Sequence, residues 1–160
     1  MTIKKGDKIP AATLKVMTPD GPANATTAEL FGSGRVVMFS VPGAFTPTCS
    51  ARHLPGFVDH AAQIAAKGVD RVVCIAVNDV FVMNAWGKSA NVGDKIVMAA
   101  DGNGEFTRAL GLEMDATGFG MGKRGQRFSM ITKDGVVEAI NVEAPGEFKV
   151  SSAEFVLGQL

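Results

Sequence analysis

Cys49 lies in the stretch VPGAFTPTCS (41–50), seven residues after Pro42 and three after Thr46, and it is one of only two cysteines in the chain. A cysteine does chemistry as its thiolate. The stretch follows the apolar run RVVMFSV (35–41), which reads as a strand covered on both faces. It precedes CSARHLPGFVDHAAQIAAKG, whose later apolar positions have helical spacing. A sulfur at that junction would meet the unpaired N–H groups and partial positive charge of a helix start, which favour the anion. The Thr46 hydroxyl would reach the sulfur or a bound substrate oxygen. Pro42 and Pro47 would stiffen the loop and remove competing N–H donors, with Pro42 also shielding the thiolate from water. A buried structural thiol is the other common fate of such a residue, and spacing alone leaves both readings open.

A thiolate that works on an oxygen needs a cation nearby. The glycine-rich stretch GFGMGKRG (118–125) follows no predicted strand and opens no predicted helix. It therefore reads as a mobile loop delivering a cation, not as a phosphate cradle. Arg124 and Arg127 are the candidates. Arg127 opens the predicted strand RFSMIT and is held more rigidly, so its guanidinium is the better placed to stabilise a thiolate and a developing oxyanion. His53, four residues after Cys49, raises the prospect of a Cys–His hydrolase pair. An i,i+4 histidine projects along the helix, however, and no orienting partner is evident. His53 is read as making a structural hydrogen bond, and His60 has less to recommend it. Two histidines and two distant cysteines make a poor metal-ligand set. Cys74, central in RVVCIAV (71–77), is read as a core thiol, and Cys49-Ser50-Ala51-Arg52 is not a C-x-x-C motif. Trp86 and Phe81 are read as packing groups, with a subunit face as their other use.

The elements that must hold these residues follow from pattern. TLKV (13–16) is a predicted first strand and PDGPA (19–23) a turn. Thr26 and Glu29 have capping-box spacing before a short helix. The Cys49 helix is expected to start at Cys49 after a loop over 42–48, to kink at Pro55 and to close at Gly68. RVVCIAV (71–77) and KIVMAAD (95–101) are further strands. Between them a helix over 79–90 is capped by Asn78 or Asp79, and a short helix lies in GEFTRALGL. Alternation about Asp134-Gly135 predicts a hairpin. Ser151 and Glu154 open a last helix. This order gives an α/β fold in one domain over 1–160: a central mixed sheet with helices on both faces. Chemistry in such sheets sits beyond the carboxyl ends of the parallel strands, where Cys49 falls.

Composition narrows the function. Sixteen basic and sixteen acidic residues cancel, which argues against a nucleic-acid footprint. No apolar run is long enough to cross a bilayer. The first twenty residues lack the core of a secretory signal, so the expected setting is reducing and cytoplasmic.

VPGAFTPTCSARHLPGF resembles the active-site segment of the peroxiredoxins, in particular the type II, or peroxiredoxin-5-like, subfamily. The family pattern of Pro, three residues, Thr, two residues, Cys falls here on Pro42, Thr46 and Cys49. VNDVFVMNAWG, RFSM and NVEAPGEFKVSSAEFVL are similar to the same subfamily, so the resemblance covers essentially the whole chain. It implies a thioredoxin-like fold and a thiol peroxidase without metal or organic cofactor, reducing hydrogen peroxide and alkyl hydroperoxides. Carried over, Cys49 is the peroxidatic cysteine. Thr46 hydrogen-bonds sulfur and peroxide, Pro42 shields the site, and Arg127 activates thiolate and peroxide. Some relatives carry a resolving cysteine near the C-terminus, where this chain has Ser151 and Ser152. An external thiol, glutathione with glutaredoxin or thioredoxin, is therefore expected to reduce the oxidised Cys49. The resemblance also implies a homodimer, with Phe45 and 79–86 contributing to its face. The alternative of another class is a redox-sensing binding or chaperone-like module using Cys49 only as a switch.

Overall fold

The computed structural model describes residues 1–160. Seven strands form one mixed sheet in the order β2-β1-β5-β4-β3-β8-β9. Its centre is β3 (Arg35–Ser40), β4 (Arg71–Ala76) and β5 (Val97–Ala100), which run parallel. β1 (Thr13–Thr18) and β2 (Gly21–Thr26) add an antiparallel pair at one edge, and β8 (Phe128–Lys133) and β9 (Val136–Val142) another. The predicted mixed α/β architecture of thioredoxin-like type, with helices on both faces, is what the chain adopts.

The apolar runs of β3 and β4 divide by alternation. Val37, Phe39, Val72 and Cys74 enter one core with Phe57, Met83, Trp86 and Val156. Those last four come from α2 (Leu54–Asp59), α4 (Val80–Ser89) and α6 (Ala153–Leu157), and α3 (Ala61–Ala66) adds Ile64. Val36, Met38, Val73 and Ile75 enter a second core with Phe31 of α1 (Thr27–Phe31) and Phe106 and Leu110 of α5 (Glu105–Leu110). A strand covered on both faces has no use for polar alternation, which is why these runs are continuously apolar.

Local signals hold in most places. Thr26 and Glu29 form the capping box of α1, and Asp79 caps α4 by accepting from the Val82 N–H. Asp134 and Gly135 both take positive φ, as a tight two-residue hairpin turn requires. Four expectations change. GPANAT is strand β2, not just turn; its small polar residues carry no strand pattern, and Pro22 is tolerated because β2 lies at the sheet edge. The stretch 118–125 is no free loop. Its end, β7 (Lys123–Gly125), pairs with β6 (Glu113–Asp115) in a small hairpin. The last helix is capped by Ser152, which accepts from the Phe155 N–H, because the Ser151 hydroxyl is engaged by Glu143. Phe81 is not packed but 64% exposed.

Candidate active site

Strand pairing brings the candidate residues together. β3 and β8 are antiparallel with Ser40 opposite Phe128, so the chain leaving β3 toward Cys49 runs beside Arg127, just ahead of β8. The Ser40 hydroxyl donates to the Gln126 carbonyl at 2.9 Å and closes this corner. The helix that carries the cysteine begins at residue 47, two positions earlier than expected, so Cys49 lies within its first turn. Ser50 N–H already bonds the Thr46 carbonyl at 2.9 Å. From Cys49 to His53 the helix widens into a π turn, closed by the Leu54 N–H on the Cys49 carbonyl, before α2 resumes. Pro55 lacks the N–H that would bond the Ala51 carbonyl, and the wide turn stands in front of that gap.

At the centre, one Arg127 nitrogen, Nη2, donates to Cys49 Sγ at 3.0 Å. The other, Nη1, donates to His53 Nδ1 at 2.7 Å. His53 in turn donates from Nε2 to the Ser151 carbonyl at 2.9 Å. That last bond fixes the proton on Nε2, leaving Nδ1 to accept. Burial, with the Arg127 charge second, holds His53 down to about 3, so the ring is neutral at ordinary pH. The imidazole is boxed by Phe39, Phe57 and Phe148, with ring centroids 4.9, 5.7 and 4.8 Å away. Both of its nitrogens are engaged, so it cannot serve Cys49 as a general base, and the hydrolase reading loses its base. What the sequence did give for His53, a structural hydrogen bond, is present. What it did not give is the bond to Arg127, 74 positions away.

The expectations for the loop need two corrections. Cys49 is not on an open rim: it is wholly buried, with no exposed surface. The Thr46 hydroxyl does not bond the sulfur; it donates to the Gly43 carbonyl at 2.7 Å. Its lone pairs are therefore what it offers a ligand, and they suit an acceptor of a hydroperoxide O–H. Pro42 stands over the site, its carbonyl accepting from Arg124 Nη1 at 3.3 Å while Arg124 Nε donates to the Met121 carbonyl. Arg124 is thus a strut for the loop and leaves the sulfur to Arg127. Gly43 makes room for it, since a Cβ there would lie 2.8 Å from Arg124 Nη1. The Ala44 N–H donates to Asn78 Oδ1 and ties the loop to the turn before α4. Next to the sulfur, the Ser50 hydroxyl accepts from Trp86 Nε1 at 3.0 Å.

A cavity of about 660 Å³ is lined by Pro42, Thr46 and Arg127, by the apolar Met114, Phe119 and Met121, and by the carboxylates of Glu113, Glu143 and Glu147. Cys74 lies in the same core as Cys49, wholly buried, and burial pushes its thiol well above the ordinary range. It sits in the core as expected. A sulfur bonded by a guanidinium that also lines a cavity, with an acceptor hydroxyl in the same lining, can attack a small electrophile that must be held by one O–H and relieved of charge at the other end.

Comparison with known proteins gives the same answer by another route. The chain matches the Redoxin family over residues 4–157. It is 49% identical over 164 residues to Peroxiredoxin-2E-2, chloroplastic, of Oryza sativa subsp. japonica, covering 99% of this chain and 73% of that protein. It is 43% identical over 159 residues to Peroxiredoxin-2B of Arabidopsis thaliana, covering 99% and 98%. The solved structure of reduced Prx3 from Vibrio vulnificus in complex with hydrogen peroxide superposes with a TM-score of 0.95 at 51% identity, over 99% of each chain.

Proposed function

This chain belongs to the Redoxin family and is a type II peroxiredoxin, a thiol-dependent peroxidase, and on that footing we propose that Cys49 is the sulfur that peroxide oxidises. The observation that carries this is the 3.0 Å hydrogen bond to Cys49 Sγ from Arg127, a residue that lines the cavity. The Cys49 thiolate attacks one oxygen of the hydroperoxide. An S–O bond forms, the O–O bond breaks, and the leaving oxygen takes a proton and departs as water from hydrogen peroxide or as an alcohol from an alkyl hydroperoxide. Arg127 stabilises the charge on sulfur and then on the departing oxygen. Thr46 accepts the O–H of the incoming hydroperoxide, and Pro42 keeps bulk water off the sulfur. No metal or organic cofactor enters the cycle.

The product is a Cys49 sulfenic acid. Cys74 is a poor resolver: it lies in the middle of a buried strand, and its raised thiol supplies little thiolate. An external thiol attacks Cys49 instead, forming a mixed disulfide and releasing water, and a second thiol then frees the cysteine. Glutathione with glutaredoxin, or thioredoxin, is the reductant proposed, and the compartment is a reducing one such as the cytoplasm. Steady-state peroxide consumption, with glutaredoxin and thioredoxin supplied separately, tests this. Sustained turnover with either supports the cycle, and a single stoichiometric oxidation with neither able to reverse it would instead fit a switch. Cys49→Ser abolishes consumption with the fold intact, while Cys74→Ser keeps most of it; total loss in the second variant would mean that Cys74 takes part.

A further inference from the structure

Glu143 is buried at the point where the chain leaves β9. Strand pairing sets it beside the site: Phe128 opposes Val142, and the Glu143 N–H donates to the Arg127 carbonyl at 3.0 Å. Its carboxylate faces no cation. It accepts instead from three successive backbone N–H groups, of Lys149, Val150 and Ser151, at 2.8 to 3.0 Å, and from the Ser151 hydroxyl at 2.6 Å. Burial pushes this carboxyl up, but the Ser151 hydroxyl and the amides outweigh that and hold it below the usual carboxylate range. The segment 144–150 is thereby folded back as a strap whose two ends are both fastened by one residue.

The strap delivers two groups to the site. Phe148 lies against the His53 ring at 4.8 Å and under the Arg127 guanidinium at 5.8 Å. The Ser151 carbonyl accepts the His53 Nε2 proton. A hydrogen-bonded series therefore runs from Glu143 through Ser151, His53 and Arg127 to Cys49 Sγ. We infer that Glu143 is a positioning residue for peroxide reduction: by seating the Ser151 carbonyl it fixes the His53 tautomer, and His53 then aims Arg127 at Cys49. This rests on the role proposed above for Arg127.

The test uses Glu143→Gln in the full chain. Glutamine keeps the size and one acceptor oxygen but turns an NH2 group toward N–H donors. Two quantities are read: the second-order rate of Cys49 oxidation by hydrogen peroxide, and the pH profile of Cys49 alkylation. The rate is expected to fall about 10- to 100-fold, as for a displaced catalytic group, and the alkylation profile to move to higher pH. In a His53→Gln background, adding Glu143→Gln is expected to change neither further, because both act through the same ring. A variant that loses thermal stability but keeps the wild-type rate and profile, or an undiminished effect in the His53→Gln background, overturns the inference. If Glu143→Gln does not fold, Ser151→Ala removes one charge-assisted bond from the seat and so holds the Ser151 carbonyl less firmly, without deleting that carbonyl. A few-fold fall in rate is then expected, and an unchanged rate overturns the inference. A wild-type chain that leaves peroxide unconsumed would sink the function proposed above, a result distinct from any difference between variant and wild type.

Discussion

The residues that face one another at Cys49 differ in how far their neighbours in the chain announce them. Pro42, Thr46 and Cys49 form one local pattern, and Arg127 is marked only by standing at the start of a strand. The reasons His53 matters are invisible locally, because its partners Ser151 and Arg127 lie 98 and 74 positions away. The Thr46 hydroxyl does not reach the sulfur because the Gly43 carbonyl, three residues back, takes its proton. Two outcomes follow from the geometry. Replacing Arg127 by Ala removes the one donor on the sulfur and is expected to slow Cys49 oxidation about 100- to 1,000-fold, the usual effect of losing an oxyanion donor. Stopped-flow kinetics with hydrogen peroxide measures it, and an unchanged rate would shift the role to Arg124. Because Cys49 has no exposed surface, bulky maleimides are expected to label the reduced native protein far more slowly than a small alkylating agent does. Equal labelling rates would mean that the sulfur is open in solution.

The elements were legible where apolar period and caps agree, as in β3, β4, α4 and the Asp134-Gly135 hairpin. They were not legible where tertiary contacts decide. β2 forms from GPANAT because β1 supplies every partner in the hairpin register. The π turn at Cys49–His53 has no signature beyond Pro55 six residues after Cys49. Single π turns inside helices are rare and are found mostly at functional sites, and this one begins at Cys49 itself. His53 gives the same helix a pH dependence. It titrates near 6.5 when unfolded and at about 3 when folded. Between those values the unfolded chain binds a proton that the native chain does not, so stability falls as pH falls through that window and is fully present above it. Between pH 7 and 4.5 the wild type is expected to lose roughly 2–3 kcal/mol more than His53→Gln, which lacks the titrating ring. Denaturant midpoints at the two pH values check this, and equal losses would show that His53 is not held neutral.

For the whole molecule, the exposed aromatics are the feature that a single chain leaves unused. Phe81 of α4 is 64% exposed and Phe45 of the active loop 55%, and the Phe45 ring lies 6.5 Å from that of Trp86 on the same helix. Phe45 also holds φ at 63°, a left-handed conformation costing a bulky residue roughly 1–2 kcal/mol. The homodimer that the family resemblance implies would set a second copy of the chain on this face. Phe81→Asp is expected to give a monomer by sedimentation at concentrations where the wild type is dimeric; a monomeric wild type would remove the proposal. The measurement closest to the central claim is mass spectrometry of the reduced protein after one equivalent of hydrogen peroxide, with a thiol-blocking trap to hold the product. The account predicts a single added oxygen on Cys49, none on Cys74, and reversal by an external thiol. Oxygen on any other residue, or peroxide left unconsumed while Cys49 stays reduced, would contradict it.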